Sequence, residues 1–273
     1  MIKSQQTTCF DRGNVSLLCC CYDGSSSSSS SSSSVVATSD RADARIFTLC
    51  IDRGQNVFNP TMIALLSEAL DIVEQATHPK ALVVTGRGKF FSNGLDLQFL
   101  EQHDQIECNV MIESLWRFLA RLLVMDCRTV AAINGHGFGA GLFLALACDF
   151  RIMRTQRGYL CWPELNLGMR LAKGFAELSK AKITSAATLR QGVLTGKRYG
   201  SQDALRDGIV DDTCPVEQLE ARAMDLARQG LAENLHLANF NPGSFSQMKI
   251  ELYTDAYRAL HLGKAVDLPH SRL

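Results

Sequence analysis

Residues 129–147 read TVAAINGHGFGAGLFLALA and give the strongest structural signal in the chain. Four apolar residues, Val130–Ile133, lie between Thr129 and Asn134 and predict a strand, and Leu142–Ala147 predicts a helix. Four glycines, at alternate positions from Gly135 to Gly141, separate the two. Because glycine permits conformations and close approaches that a side chain forbids, the stretch predicts a strand, a tight turn and a helix.

The glycine-rich turn has three interpretations. Gly135, Gly137 and Ala140 fit G-x-G-x-x-A, the pattern of a dinucleotide-binding turn. That pattern needs an acidic residue about twenty positions further on, where this chain has Thr155 and Gln156. A second interpretation is a turn whose glycines only permit helix–strand packing. In the third, the free N–H groups at the helix N-terminus face an anion.

A second loop, Asn93-Gly94-Leu95-Asp96, has the same character. Two such loops could each direct one backbone N–H group at a single carbonyl oxygen. That arrangement is an oxyanion hole.

The rest of the chain predicts an α/β protein. Arg45–Ile51 predicts a strand, and Asn59-Pro60 supplies a cap and a first-turn proline for a helix. Strands and helices alternate early and helices dominate late. The later helices are predicted at Ser185–Leu194, Ser201–Asp207, Val216–Gln229 and Phe245–Leu262.

Composition excludes several classes of function. The chain has 273 residues, with 28 basic and 28 acidic side chains. A zero net charge attracts neither nucleic acid nor an anionic membrane surface, and no apolar run is long enough to span a bilayer. Ten cysteines are dilute in this length, and Cys50, Cys148 and Cys161 lie in apolar runs. We expect reduced, packed thiols, and the histidines show no metal-site spacing.

The two ends carry further signals. Residues 1–40 contain ten consecutive serines, Ser25–Ser34, and predict a disordered tail that includes the inert run Cys19-Cys20-Cys21. The last three residues, Ser271-Arg272-Leu273, resemble the Ser-Lys-Leu peroxisomal address. They predict an import receptor as a partner and a peroxisome or related microbody as the location, with the mitochondrion as the alternative.

Three blocks together resemble the signature of the crotonase (enoyl-CoA hydratase/isomerase) superfamily. They are Phe91–Leu97, Ala131–Asp149 and Pro163–Gly168. A fourth block, running from Thr195 to Asp211, resembles the downstream element of that family. The resemblance covers about residues 45–229.

The resemblance implies a crotonase-like spiral of ββα units over residues 41–200 and a helical C-terminal region over 201–273. It implies an acyl-CoA thioester as substrate, a homotrimer or hexamer, and no cofactor or metal apart from the CoA of the substrate. By position, it assigns the oxyanion N–H groups to Leu95 and Ala140. Other residues expected to bind substrate are Asn93, Gly94, Asp96, Leu97, Gly139 and Phe143, with Arg53 and Lys89 for the CoA phosphates.

One carboxylate, rather than two, distinguishes this chain within the family. Hydratases that resemble it use two glutamates, and the position of the first is Phe143 here. The second corresponds to Glu164. Some isomerases of the superfamily place their base four residues beyond Gly168, where this chain has Ala172. A single base beside an oxyanion hole suits a proton shuttle, so Glu164 is expected to convert a 3-enoyl-CoA into a trans-2-enoyl-CoA during β-oxidation.

Two alternatives remain. The chain could be a hydratase or catalyse another crotonase-type reaction, such as thioester hydrolysis. It could also be an acyl-CoA-binding paralogue that has kept the fold without turnover. Asp96 is expected to hold its own loop, and His136 is expected to serve packing.

Overall fold

The computed structural model of the chain describes residues 5–22, 44–229 and 241–265. The strands are β1 (Gln5–Asp11), β2 (Val15–Tyr22), β3 (Ala44–Ile51), β4 (Val57–Phe58), β5 (Lys80–Gly86), β6 (Phe90–Ser92), β7 (Gly94–Leu95), β8 (Arg128–Ile133), β9 (His136–Phe138), β10 (Phe150–Arg154), β11 (Leu160–Cys161) and β12 (Asp212–Cys214). The helices are α1 (Pro60–Gln75), α2 (Leu97–Gln102), α3 (Gln105–Leu123), α4 (Ala140–Ala147), α5 (Lys173–Lys182), α6 (Ala186–Thr195), α7 (Ser201–Arg206), α8 (Val216–Gln229), α9 (Pro242–Leu252) and α10 (Thr254–His261). A short 3-10 helix covers Glu164–Leu167.

Three sheets organise the chain, and the largest has seven strands in the order β1-β2-β3-β5-β8-β10-β12. The five strands from β3 to β12 are parallel, whereas β1 and β2 are antiparallel. A second sheet of three parallel strands has the order β11-β9-β6, and β4 pairs with β7 in a third. The predicted α/β class is therefore confirmed.

The first helix begins where its sequence predicts. The Asn59 side chain accepts a hydrogen bond from the Met62 N–H at 3.0 Å, and Pro60 occupies the first turn. Proline is tolerated there because the first N–H groups of a helix have no partner within it. The apolar positions Met62, Leu66 and Leu70 are buried, as helical spacing requires.

Helices cover both faces of the main sheet. On one face, α3 packs against α1, α4 and α10, and α5 packs against α4 and α10. On the other, α8 crosses β5, β8 and β10. All eight residues of α4 are buried. The glycine-rich turn thus delivers a helix into the centre of the core.

The predicted N-terminal tail is wrong for residues 5–22. They form β1 and β2, and β2 pairs with β3 from Val15 opposite Ile51 to the other end of that strand. Val15, Leu17 and Cys19 alternate along β2 and are buried in the main core. This alternation supplies the apolar face that the serine tract lacks. Ser25–Ser34 lie outside the described residues.

Two helix predictions also need correction. The single helix predicted over Phe245–Leu262 is divided into α9 and α10 at Tyr253, which leaves the helical conformation. Helix α5 was not predicted: Ala172 gives it no side-chain cap. Its Gly174 lies so close to the Trp116 ring that a Cβ there would come within 2.9 Å, so the glycine serves packing.

The cysteines are free thiols in the structure. Cys50, Cys148 and Cys161 are buried, as predicted. Burial raises the pKa of Cys148 to about 12, so this thiol stays protonated. The run Cys19–Cys21 was predicted to lie in the tail but belongs to β2. Among the helices of the described ranges, none is both long and apolar enough to cross a membrane.

Replacing Leu17 with Ala tests the structural role of β2. Leu17 is fully buried, so its truncation should lower the free energy of unfolding by about 2–5 kcal/mol, measured by urea denaturation. The matched control is Leu18→Ala, because Leu18 is the next residue on the same strand and is only half-buried. Equal and small effects of both changes would mean that the hairpin is dispensable.

Candidate active site

Two loops meet backbone to backbone at the centre of the molecule. Gly94 has a φ of 91°, and a Cβ there would lie 2.7 Å from the Phe138 carbonyl oxygen. A Cβ on Gly141 would overlap the Ser92 carbonyl oxygen. Only glycine fits at either position. The chain after β6 and the turn between β9 and α4 are thereby held against each other.

A hydrogen-bond network fixes the first of these loops. The Ser92 hydroxyl donates to the Asn56 carbonyl oxygen at 2.7 Å and accepts from the Gly94 N–H at 3.2 Å. Asn56 is buried with a φ of 53°, and its amide donates to the Phe90 carbonyl oxygen at 2.9 Å. No motif in the sequence pointed to Asn56. The signal was available, since asparagine tolerates the left-handed region better than most residues.

The two predicted oxyanion donors lie at the meeting point of these loops. The Asp96 N–H donates to the Phe58 carbonyl oxygen of β4 at 2.9 Å. Successive N–H groups of a strand point to opposite edges, so that of Leu95 points away from β4. Ala140 is the first residue of α4, and Gly139 provides no side-chain cap. The Ala140 nitrogen lies 3.3 Å from where a Cβ of Gly94 would be.

Glu164 lies beside the N-terminus of α4. Its Oε1 is 3.8 Å from the position that a Cβ of Gly139 would occupy, and Pro163 packs on the same glycine. Its Oε2 is buried and has no hydrogen-bond partner within the described ranges. Burial raises the pKa of Glu164 from its ordinary value of 4.5 to about 7. The carboxylate is therefore a base poised near neutral pH.

Aromatic rings pack around Phe143 of α4, the helix whose N-terminus lies beside Glu164. Phe143 on α4 is fully buried and stacks on Phe175 at a centroid distance of 4.2 Å. Phe175 in turn contacts Trp116 edge to face at 5.8 Å. Phe143, at the position where the resemblance expects a second glutamate in hydratases, is thus an apolar side chain packed in the core. Such packing excludes water and disfavours the charged form of a nearby carboxyl group.

The expected structural role of Asp96 is confirmed. Its carboxylate caps α2 by accepting from the Phe99 N–H at 3.3 Å and accepts from the Asn59 amide at 3.1 Å. Asn93 donates to the Gln55 side chain at 2.7 Å and keeps its loop against the one before β4. Leu97, which begins α2, is exposed.

The two cations expected to bind phosphate are not brought to Glu164. Arg53 is exposed on the loop that precedes β4. Lys89 lies just before β6, where its carbonyl oxygen accepts from the His136 N–H at 3.1 Å. Strands β6 and β9 run from there toward the N-terminus of α4, so Lys89 lies at the opposite end of the small sheet from that helix. A role for either cation in CoA binding stays a prediction.

The site combines the Glu164 carboxylate with the N–H groups of Leu95 and Ala140 as candidate anion-stabilising donors. Such an arrangement can move a proton next to a carbonyl group. Across the part of the chain that the structure describes, no group of three or more His, Cys, Asp or Glu residues could hold a metal ion.

Replacing Glu164 with Gln should stabilise the fold in a pH-dependent way. The folded-state pKa is raised to about 7, so ionisation costs stability as pH rises from about 4.5 to 7. We expect the variant to exceed the wild type by on the order of 1–3 kcal/mol at pH 8 and by much less at pH 5. Urea denaturation at both pH values measures this. A pH-independent difference would contradict the burial of the charge.

Comparison with known proteins agrees with this geometry. Residues 41–261 match the family described as Enoyl-CoA hydratase/isomerase. The chain is 32% identical to the Arabidopsis thaliana protein named peroxisomal enoyl-CoA delta isomerase 2, over 79% of this chain and 90% of that one. It is 33% identical to a putative enoyl-CoA hydratase of Thermus thermophilus, over 64% and 70% of the two chains.

A solved structure extends the comparison to three dimensions. The apo enoyl-CoA isomerase of Mycobacterium tuberculosis superposes with a TM-score of 0.71 at 26% identity, over 80% of this chain and 91% of that one. The chain therefore belongs to the enoyl-CoA hydratase/isomerase family and has the crotonase fold.

Proposed function

We propose that the protein is an enoyl-CoA delta isomerase that converts 3-enoyl-CoA to trans-2-enoyl-CoA in the β-oxidation of unsaturated fatty acids. The observation that carries the proposal is Glu164: it is a carboxylate with a pKa near 7 and an unpartnered buried oxygen, beside the uncapped N-terminus of α4.

The proton shift uses one base twice. The Glu164 carboxylate removes a proton from C2 of the substrate, and the electron pair moves toward the thioester oxygen to form a dienolate. The N–H groups of Leu95 and Ala140 stabilise that oxygen. The protonated Glu164 then delivers the same proton to C4, the double bond settles between C2 and C3, and the carboxylate is regenerated.

The buried wall of Phe143 supports isomerisation over hydration. Adding water to a double bond requires two groups that position and activate one water molecule. At Phe143 the chain has an apolar ring stacked in the core. The name of the Thermus thermophilus relative favours hydration as the second candidate function.

The remaining features of the proposal follow from the chemistry and the relatives. The shift needs no cofactor, since CoA is part of the substrate. The name of the Arabidopsis thaliana relative supports a peroxisomal location. In this chain the candidate peroxisomal targeting signal is the terminal Ser271-Arg272-Leu273, which an import receptor would bind. These three residues lie outside the described ranges. Assembly as a homotrimer or hexamer is part of the same proposal.

Replacing Glu164 with Gln should abolish isomerisation. A glutamine side chain cannot accept the C2 proton, so we expect kcat with 3-hexenoyl-CoA to fall at least ~10²-fold. The assay follows 2-hexenoyl-CoA formation, beside a hydration assay on 2-hexenoyl-CoA. Glu177→Gln is the matched control, because Glu177 pairs with Lys180 on α5 and should be replaceable.

Full activity of the Gln variant would reject Glu164 as the base. In the wild type, faster formation of 3-hydroxyhexanoyl-CoA than of the isomer would establish the hydratase instead. Tight acyl-CoA binding with neither product would indicate a binding protein without turnover.

The pH dependence of kcat/KM reports the same carboxyl group. Glu164 must be ionised to act as a base, and its pKa is about 7. We therefore expect kcat/KM to rise about tenfold per pH unit below this value and to level off above it. A profile that stays flat from pH 5 to 8 would mean that the base has an ordinary pKa.

A further inference from the structure

A cavity lies at the opposite end of the three-stranded sheet from Glu164. There β9 begins at His136, next to the backbone of Lys89. The cavity has a volume of about 690 Å³, which is in the range of small-ligand sites. It is lined by His136, residues 155–159 and residues 200–203. The isomerase proposal uses none of these residues.

Three cations lie around His136, at the edge of this cavity. Arg157 lines it, Lys89 Nζ lies 5.3 Å from the centroid of the Phe90 ring, and Arg198 lies 5.7 Å from that of Phe138. All three side chains are exposed, and none forms an ion pair within the described ranges. Their like charges create a local positive potential that favours an anion.

The carboxylate on the cavity rim is already neutralised. Asp203 lines the cavity and lies 2.6 Å from Arg206 in an ion pair on α7. It therefore does not pair with any of the three cations. Its oxygens can also accept hydrogen bonds from hydroxyl groups of a ligand.

Aromatic rings surround His136 at the base of the cavity. The imidazole lies 5.4 Å from the Phe90 ring, 5.1 Å from Phe138 and 5.7 Å from Tyr159. Tyr159 is 45% exposed and offers a free ring surface. The Nδ1 atom of His136 is buried and has no hydrogen-bond partner within the described ranges. Burial, followed by the charges of Lys89, Arg157 and Arg198, lowers the pKa of His136.

The loop that lines the cavity is held in an uncommon conformation. Gln156 has a φ of 67°, a region that side chains other than Gly, Asn and Asp rarely adopt. A Cβ on Gly158 would lie 2.8 Å from the Gly135 carbonyl oxygen, so this loop is pressed against the start of β9. Residues held in such conformations cluster at sites that clamp a ligand.

We propose that this cavity binds a nucleoside polyphosphate. The phosphates lie among Lys89, Arg157 and Arg198, and the base stacks on the exposed ring of Tyr159. Aromatic faces stack on nucleobases, and arginine forks bind phosphate through paired hydrogen bonds. The rim carboxylate of Asp203 can accept hydrogen bonds from the ribose hydroxyl groups. The site is separate from the end of the sheet where the acyl group reacts.

Calorimetric titration of the full chain with ATP tests the proposal, with tripolyphosphate as the probe that lacks a base. We expect saturable ATP binding that weakens with added salt, and weaker binding of tripolyphosphate. Arg157→Ala and Arg198→Ala should each weaken ATP binding about tenfold, since each removes a charge-assisted contact. Tyr159→Leu should weaken ATP binding while leaving tripolyphosphate binding unchanged.

Arg12→Ala is the matched control, because Arg12 is also exposed and lies over an aromatic ring, that of Phe10, at 5.9 Å. It should leave ATP binding unchanged. An equal loss in this control would show that binding follows surface charge alone, and undetectable ATP binding at low salt would overturn the proposal. Equal affinity for tripolyphosphate would overturn the nucleoside part.

Photocrosslinking distinguishes this cavity from an acyl-CoA site, since CoA also contains an adenine nucleotide. Labelling with 8-azido-ATP followed by peptide mapping should modify residues 155–159 or 200–203. Modification of the loops that carry Leu95 and Ala140 would place the nucleotide at the other end of the sheet and overturn the proposal. Neither readout depends on isomerase activity, so the proposed function and this inference fail independently.

Discussion

The close approach of two backbone segments, at Gly94 and Gly141, is the constraint on which the site depends. A side chain at either position would collide with a carbonyl oxygen of the other segment. Because neither position carries one, the strand that bears Leu95 and the helix that begins at Ala140 lie against each other. The hydroxyl of Ser92 and the amide of Asn56 then fix one of these segments by hydrogen bonds to backbone groups.

Glu164 is placed where two electrostatic effects compete. The N-terminus of α4 carries partial positive charge and favours the carboxylate form. Burial among apolar groups favours the neutral form, and it prevails, since the pKa rises to about 7. A buried carboxylate oxygen without a hydrogen-bond partner lowers the stability of the folded state, because its desolvation is not compensated. The fold tolerates it because the surrounding core, including the stacked Phe143 and Phe175, is otherwise well packed.

The small three-stranded sheet gives the molecule two chemically different ends. Its strands β6 and β9 lead to the uncapped helix and the glutamate at one end. At the other, they begin among aromatic rings and cations, around His136. Parallel strands align their termini, so residues distant in sequence, such as Lys89 and Arg157, gather at the same edge. Lys89 was expected to bind the CoA phosphates because its loop leads into a family block, and strand β6 places its backbone at the end of the small sheet away from α4.

The local elements and the chemistry of the family blocks could be predicted from the sequence. Asn59-Pro60 specifies the start of α1, the glycines of residues 135–141 specify a turn into a buried helix, and the blocks single out Glu164. These signals are local, because caps, turns and motifs depend on neighbouring residues. The same reasoning assigned β1 and β2 to a tail, since it weighed the serine tract above the alternation of Val15, Leu17 and Cys19.

Which residues distant in sequence contact each other depends on the tertiary packing. Contacts between remote segments produce the pairing of β2 with β3, the break at Tyr253 and the hydrogen bonds of Asn56. The same kind of contact sets how far the pKa of Glu164 rises. Burial is a property of the packed molecule, and no spacing of residues along the chain encodes how much water reaches a carboxylate. The sequence therefore indicated Glu164 as the candidate base, and the packing around it raises its pKa to about 7.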